Sequence, residues 1–142
     1  MQILIAQHYL AEGDFAQALQ YAESVEGYDD TDAQIVVAAC REYQHRYLAA
    51  EQAFRSVAED DPYRPQVFLW HRFCAQTGYG NMSTARNAVL SYAQSLDEEE
   101  DKEHTEPEDL AGVGCFYLLE NEPDAAVKWF TRAVEAGKTR HA

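Results

Sequence analysis

The side chains in this sequence that could do chemistry are its five histidines, three cysteines and 25 acidic residues. The histidines are scattered, and none belongs to the H-E-x-x-H pattern of helical zinc sites. His71 and Cys74 lie three residues apart, so one helix face could offer a metal two ligands, but no further pair follows. We therefore predict no metal, with a histidine that lines a groove beside a small buried thiol as the better explanation. A metal protein using His71 and Cys74 is the alternative.

Motifs for nucleophilic catalysis and for cofactor binding are missing from the sequence. It has no G-x-x-x-x-G-K-[ST] phosphate loop, no G-x-G-x-x-G and no G-x-S-x-G elbow. The acidic residues cluster in polar stretches, without an apolar pocket that would raise the pKa of a carboxyl group. We predict that the protein is not an enzyme, has no catalytic residues and binds no cofactor.

The cysteines and the N-terminus bear on location. Cys40, Cys74 and Cys115 are odd in number and widely spaced, which favours a reducing compartment and small-residue packing over disulfides. The N-terminal residues lack the basic region of a signal peptide. No run approaches the roughly 18 apolar residues of a membrane span. A cytoplasmic protein that does not enter membranes is the prediction.

The charge balance restricts the partners. Eleven basic residues against 25 acidic ones give a formal net charge of −14. A surface this acidic repels phosphate backbones and anionic lipid headgroups. We therefore expect protein or peptide partners, preferably with basic residues, and neither nucleic acid nor membrane.

The composition and the apolar pattern predict the elements. Hydrophobic residues make up 46% of the chain, while four prolines and seven glycines leave room for long helices, so the fold class is all-α. The stretch Leu110–Val134 is interpreted as two helices joined by a tight turn. Its small residues Gly114 and Ala126 would allow a close approach, with Tyr117 and Phe130 filling the space beside them.

The order and spacing of these residues resembles the tetratricopeptide repeat (TPR), a helix–turn–helix unit of about 34 residues. Alanines at one repeat position, Ala18, Ala50, Ala85 and Ala126, are 32, 35 and 41 residues apart. The longest interval contains an acidic run, which we interpret as a frayed helix end and a solvated loop at about 97–104, before a helix cap at Thr105. Attraction of a basic partner by this run is the alternative.

The resemblance implies a single TPR-like domain over residues 1–142. It would be an α-solenoid of about eight antiparallel helices, four helix–turn–helix pairs stacked in a right-handed superhelix. The repeats are expected at about 1–30, 31–64, 65–98 and 105–138.

In the TPR family, the first helix of each pair lines a concave groove that binds peptides or helices. The resemblance therefore implies groove residues in four helices, namely Ile3, Gln7, Ile35, Ala39, Glu42, Tyr43, Trp70, Cys74, Thr77, Ala111, Cys115 and Leu118. Ile35, Tyr43 and Trp70 suit an apolar anchor, and Glu42 with the acidic rim favours flanking basic residues. A place in the core between repeats is the alternative for Trp70.

We predict a non-catalytic protein-interaction module that binds an apolar, basic-flanked segment. A secretion-type chaperone or adaptor is one concrete version, because small acidic TPR proteins of that kind resemble this chain in size and charge. The alternative is a self-assembling scaffold, or a piece of a longer TPR array, that forms a homo-oligomer through uncapped ends. It is motivated by the lack of a polar capping helix after Val134.

Overall fold

The computed structural model describes residues 2–25, 31–62, 64–98 and 106–141, with side chains for all of these except residues 2 and 139–141. The described residues form eight helices and no strand, so the predicted all-α class is confirmed. The helices are α1 (Gln2–Ala11), α2 (Phe15–Glu23), α3 (Thr31–Tyr43), α4 (Tyr47–Asp60), α5 (Gln66–Thr77), α6 (Met82–Glu98), α7 (Pro107–Leu119) and α8 (Pro123–His141). They belong to two compact units, Met1–Asp60 and Asp61–Ala142. Their stacking into one superhelical domain stays a prediction.

Three helix pairs share one turn geometry. Gly13, His45 and Asn121 take the left-handed conformation, with φ of 80°, 59° and 59°. The following N–H then donates to a carbonyl five residues back, which satisfies a helix-end acceptor as in a Schellman motif. These bonds run from Asp14 to Tyr9, from Arg46 to Arg41 and from Glu122 to Tyr117, each 2.9 Å long. Turns this short make the two helices of each pair antiparallel neighbours.

Two helix caps can be compared with the sequence. Asp14, a residue type that favours helix N-caps, caps α2 through its carboxylate, which accepts the Gln17 N–H at 3.2 Å. The expected cap at Thr105 is wrong: the N-cap of α7 is Glu106, whose side chain makes no capping bond, and Pro107 follows it in the first turn. Of the predicted acidic loop, residues 97 and 98 belong to α6, and 99–104 lie outside the described residues.

The first unit has a core of small residues. Ala6, Ala18, Ala22, Val36 and Cys40 are buried together and join α1, α2 and α3. Their small side chains let the helices approach closely, and larger, partly buried side chains such as Ile3, Tyr9 and Tyr21 close the space around them. The Tyr9 and Tyr21 rings stack with centroids 5.6 Å apart, which ties α1 to α2.

The second unit is built around α7, which contacts α5, α6 and α8. Two glycines of α7 make this possible. A Cβ at Gly112 would collide with the Phe68 ring of α5, and a Cβ at Gly114 would lie 2.8 Å from the Phe130 ring of α8. Aromatic rings therefore rest directly on the α7 backbone on two sides. This confirms the close packing of Gly114 and Phe130 that the sequence predicted.

Candidate functional site

The predicted groove residues of the first unit lie on α1 and α3, which contact each other. Ile3 is half-buried against the core, and Gln7 is exposed. On α3, the side chains at i, i+4 and i+7 are half-buried, so each still presents surface to solvent; they are Ile35, Ala39 and Glu42.

Tyr43, at the end of α3, is 61% exposed. Its ring nevertheless has a partner, because it stacks on Phe15 at the start of α2 with centroids 5.1 Å apart and planes 9° from parallel. Tyr43 therefore offers a ring edge and a hydroxyl to solvent, while Phe15 covers one ring face.

In the second unit, two residues that were predicted to line the groove are buried instead. Trp70 and Cys74 are 1% and 3% exposed, so their side chains form part of the core and present no surface to a ligand. Helix α5 turns its large side chains inward, and Arg72 and Gln76 are the ones it exposes. Thr77 is half-buried, and its hydroxyl donates to the Phe73 carbonyl at 2.7 Å, which makes it a helix-end contact.

Helix α7 exposes an apolar stripe. Ala111 is half-buried, Cys115 is exposed and Leu118 is 52% exposed, at positions i, i+4 and i+7 of the same face. We call these three residues the α7 stripe. The opposite face, with Leu110, Val113 and Phe116, is buried. Because the buried face of α7 packs into the core of the second unit, the α7 stripe on the other side faces solvent.

A polar cluster lies where α5, α6 and the end of α7 meet. Arg86 of α6 donates from Nε to Glu120 Oε1 at 2.6 Å and from Nη2 to Oε2 at 3.2 Å. His71 Nε2 of α5 lies 3.0 Å from the same Oε1 atom. The imidazole also meets the Phe116 ring edge-on, with centroids 4.5 Å apart. His71 is 1% exposed, so its predicted place in a groove is wrong, and Glu120 holds its ring. The alternative that joined it to Cys74 as a metal site has no support in this geometry.

The surroundings shift the pKa of both titratable partners. The hydrogen bond from Arg86 lowers the pKa of Glu120, and the bond with His71 acts in the same direction. Burial lowers the pKa of His71, an effect that the Glu120 carboxylate only partly offsets. The cluster therefore holds an ionised carboxylate between a guanidinium and a neutral imidazole. These contacts join α5, α6 and the end of α7.

The three cysteines have two kinds of environment, and all are free thiols. Cys40 and Cys74 are buried, as the packing interpretation predicted, and burial raises the pKa of the Cys40 thiol. Cys115 is exposed, so for this residue the packing interpretation is wrong.

Metal binding and membrane insertion can also be compared with the described residues. No three of their His, Cys, Asp or Glu side chains are grouped so that they could hold a metal ion. None of the described helices combines the length and the apolar character needed to cross a bilayer.

No protein-family model matches the sequence. A search of curated proteins gives no match either. Among solved structures, the fold is similar to that of MamA, a TPR-containing protein, with a TM-score of 0.59 and 14% sequence identity. The similarity covers 99% of this chain and 78% of the MamA chain. At this identity the similarity concerns the fold alone, and it identifies the fold as a TPR-like arrangement of helices.

Proposed function

We propose that this protein is a non-catalytic interaction module, and that the α7 stripe is a binding surface for an apolar segment of a partner protein. The observation that carries the proposal is the exposure of Cys115 and Leu118, in a row with the half-buried Ala111, on one helix whose other face is buried. Helical-repeat folds characteristically use such rows on their first helices to bind extended or helical segments.

The surroundings of the α7 stripe define the chemistry of the segment. Glu108 is exposed and continues the same face one turn toward the N-terminus, and Glu122 is exposed just beyond the other end of α7. With a chain charge of −14, these carboxylates favour a segment with lysine or arginine on either side of its apolar anchor. A helical segment with an apolar stripe of its own would fit this surface best.

The first unit offers a second surface of the same pattern. Ile35, Ala39 and Glu42 of α3 have the i, i+4, i+7 spacing of the α7 stripe, with an acidic residue at the last position. We propose them, with Ile3, Gln7 and Tyr43, as a separate binding surface that belongs to the first unit. A chaperone or adaptor role is a narrower version, which would require that the bound partner segment be unfolded when free.

The exposed thiol makes the proposal testable. A benzophenone maleimide coupled to Cys115 would place a photo-crosslinker on the α7 stripe, since Cys40 and Cys74 are buried. The matched control is Cys115→Ser/Ser91→Cys, which moves the label to an exposed position on α6. We expect irradiation in source-cell lysate to join a partner to the Cys115 label and not to the Ser91→Cys label.

A second variant tests whether the crosslink from Cys115 depends on the α7 stripe. Leu118→Asp should abolish the crosslink while circular dichroism shows an unchanged helix content, because Leu118 is half-exposed and contributes little to the core. A crosslink that persists in Leu118→Asp, or that forms equally from position 91, would refute the α7 stripe as the binding surface.

A further inference from the structure

A second exposed surface lies on α8. Seven of its residues, all exposed, lie within an arc of about 120° when each residue is rotated by about 100° around the helix axis. They are Asp124, Val127, Lys128, Thr131, Val134, Glu135 and Lys138, and we call them the α8 arc. Val127 and Val134 are 63% and 56% exposed. Two valines exposed to this degree on one edge of a helix are apolar area that a partner could cover.

The α8 arc is complementary to itself when the helix is reversed. The valines lie on one edge, Lys128 and Glu135 lie on the other, and the remaining three residues lie along the middle. The midpoint between Val127 and Val134, and that between Lys128 and Glu135, each lie within about half a residue of Thr131 along the helix. If two copies of α8 are placed antiparallel about a two-fold axis at Thr131, Val127 meets Val134 of the other copy.

The same operation pairs opposite charges. Lys128 of one copy meets Glu135 of the other, and Asp124 meets Lys138, twice each by symmetry. A parallel arrangement would instead bring the valine edge of one copy against the charged edge of the other. The residue pattern is therefore compatible with one of the two orientations only.

The side chains of the α8 arc are exposed enough to make these contacts. Glu135 and Lys138 form an ion pair within the helix at 3.5 Å, but their side chains remain 66% and 70% exposed. An ion pair this exposed exchanges readily for contacts with a partner. The Thr131 hydroxyl donates to the Val127 carbonyl at 2.8 Å, so its hydrogen is already bonded and its methyl group can pack at the axis.

We propose that the protein forms a two-fold symmetric dimer through antiparallel packing of the α8 arc against the same surface of a second copy. Charge supports a second copy as the occupant, since the arc is electrically balanced in a chain that carries −14. An acidic or a basic partner would leave half of its charges unmatched. The arc does not include the α7 stripe, so the two proposals can fail separately.

One helix face from each copy buries less than the roughly 1,200 Å² typical of stable complexes, so the dimer should be weak and reversible. Sedimentation equilibrium over a wide concentration range should therefore show a monomer–dimer equilibrium. Val127→Asp/Val134→Asp should raise its dissociation constant at least tenfold, roughly the effect of losing a small apolar contact and adding like charges. A chain that stays monomeric at the highest concentrations would overturn the proposal.

Charge reversal tests the pairing. Lys128→Glu alone and Glu135→Lys alone should each weaken the dimer, because each places like charges opposite each other. The double variant Lys128→Glu/Glu135→Lys restores opposite charges across the axis and should recover dimerisation. Failure of the double variant to recover it, while its circular dichroism is unchanged, would contradict the pairing.

Cysteine crosslinking tests the orientation on a Cys115→Ser background, where the remaining native thiols are buried. Thr131→Cys should oxidise to a covalent dimer, because the two copies of this residue meet at the axis. Val127→Cys alone should not, whereas Val127→Cys/Val134→Cys should. A covalent dimer from Val127→Cys alone would indicate parallel helices and refute the proposed arrangement.

Discussion

Glu120 accepts hydrogen bonds from Arg86 through both carboxylate oxygens, at 2.6 and 3.2 Å. The two residues are 34 positions apart in the sequence and join α6 to the end of α7. A bidentate pair of this kind fixes both distance and orientation. His71 completes the junction from α5, so three helices of the second unit meet at one carboxylate.

Truncation of this carboxylate should destabilise the protein. In Glu120→Ala, the buried His71 loses its hydrogen-bond partner, and the free energy of unfolding should fall by about 1–3 kcal/mol. Glu120→Gln keeps an acceptor and should cost less. Glu122→Ala, at an exposed carboxylate two residues on, should change the free energy by less than about 0.5 kcal/mol. Urea unfolding measures all three, and equal losses in Glu120→Ala and Glu122→Ala would contradict the structural role.

Stability should fall on acidification in two steps. The pKa of His71 is lowered in the folded state from the ordinary histidine value of 6.5. Below that pH the imidazole is protonated in the unfolded chain but still neutral in the folded chain, so acidification favours unfolding. The contribution of His71 is therefore complete above that pH and is lost as the pH falls toward its folded pKa. The pKa of Glu120 is also lowered, so its contribution is lost at lower pH, below its ordinary value of 4.5.

The melting temperature between pH 7.5 and 5.5 isolates the first step. We expect the wild type to lose stability over this interval and His71→Gln to have a flatter profile, because the group that titrates is gone. The matched control, His8→Gln, makes the same substitution at an exposed histidine of the first unit. An unchanged slope in His71→Gln would show that other groups cause the pH dependence.

Two glycine-to-alanine substitutions should have opposite effects. In Gly114→Ala, the new Cβ meets the Phe130 ring at 2.8 Å, and overpacking of this kind costs about 1–3 kcal/mol. In Gly137→Ala, the new Cβ meets nothing within 4 Å, so the better helix propensity of alanine should stabilise the protein by up to about 1 kcal/mol. Thermal unfolding distinguishes them, and a stabilised Gly114→Ala would mean that the ring moves aside at little cost.

One thiol should react much faster than the others. Cys115 is exposed, whereas Cys40 and Cys74 are buried and can be reached only when the structure opens. A thiol reagent such as DTNB should therefore label one equivalent rapidly and two slowly, with all three fast in denaturant. Cys115→Ser should remove the fast phase. Two fast thiols in the folded protein would show that one buried cysteine is more accessible than the structure indicates.

The sequence by itself determined the local features. Helix positions follow from periodicity and from end signals such as Asp14 and Gly13, and these act within a few residues of where they stand. The close packing of Gly114 against Phe130 was also predictable, because residues of two helices joined by a short turn must meet. The exposure of Leu118 followed from the same repeat pattern.

Only the tertiary structure decided which face of an apolar helix is buried. On α5 the side chains from Val67 to His71 are all apolar or aromatic, so periodicity left the register open, and contacts with neighbouring helices place Trp70 and Cys74 inside. His71 and Glu120 are 49 residues apart in the sequence, and no local pattern predicts that they form a hydrogen bond. Burial and ion pairing depend on which helices become neighbours, and that is set by the packing of the whole unit.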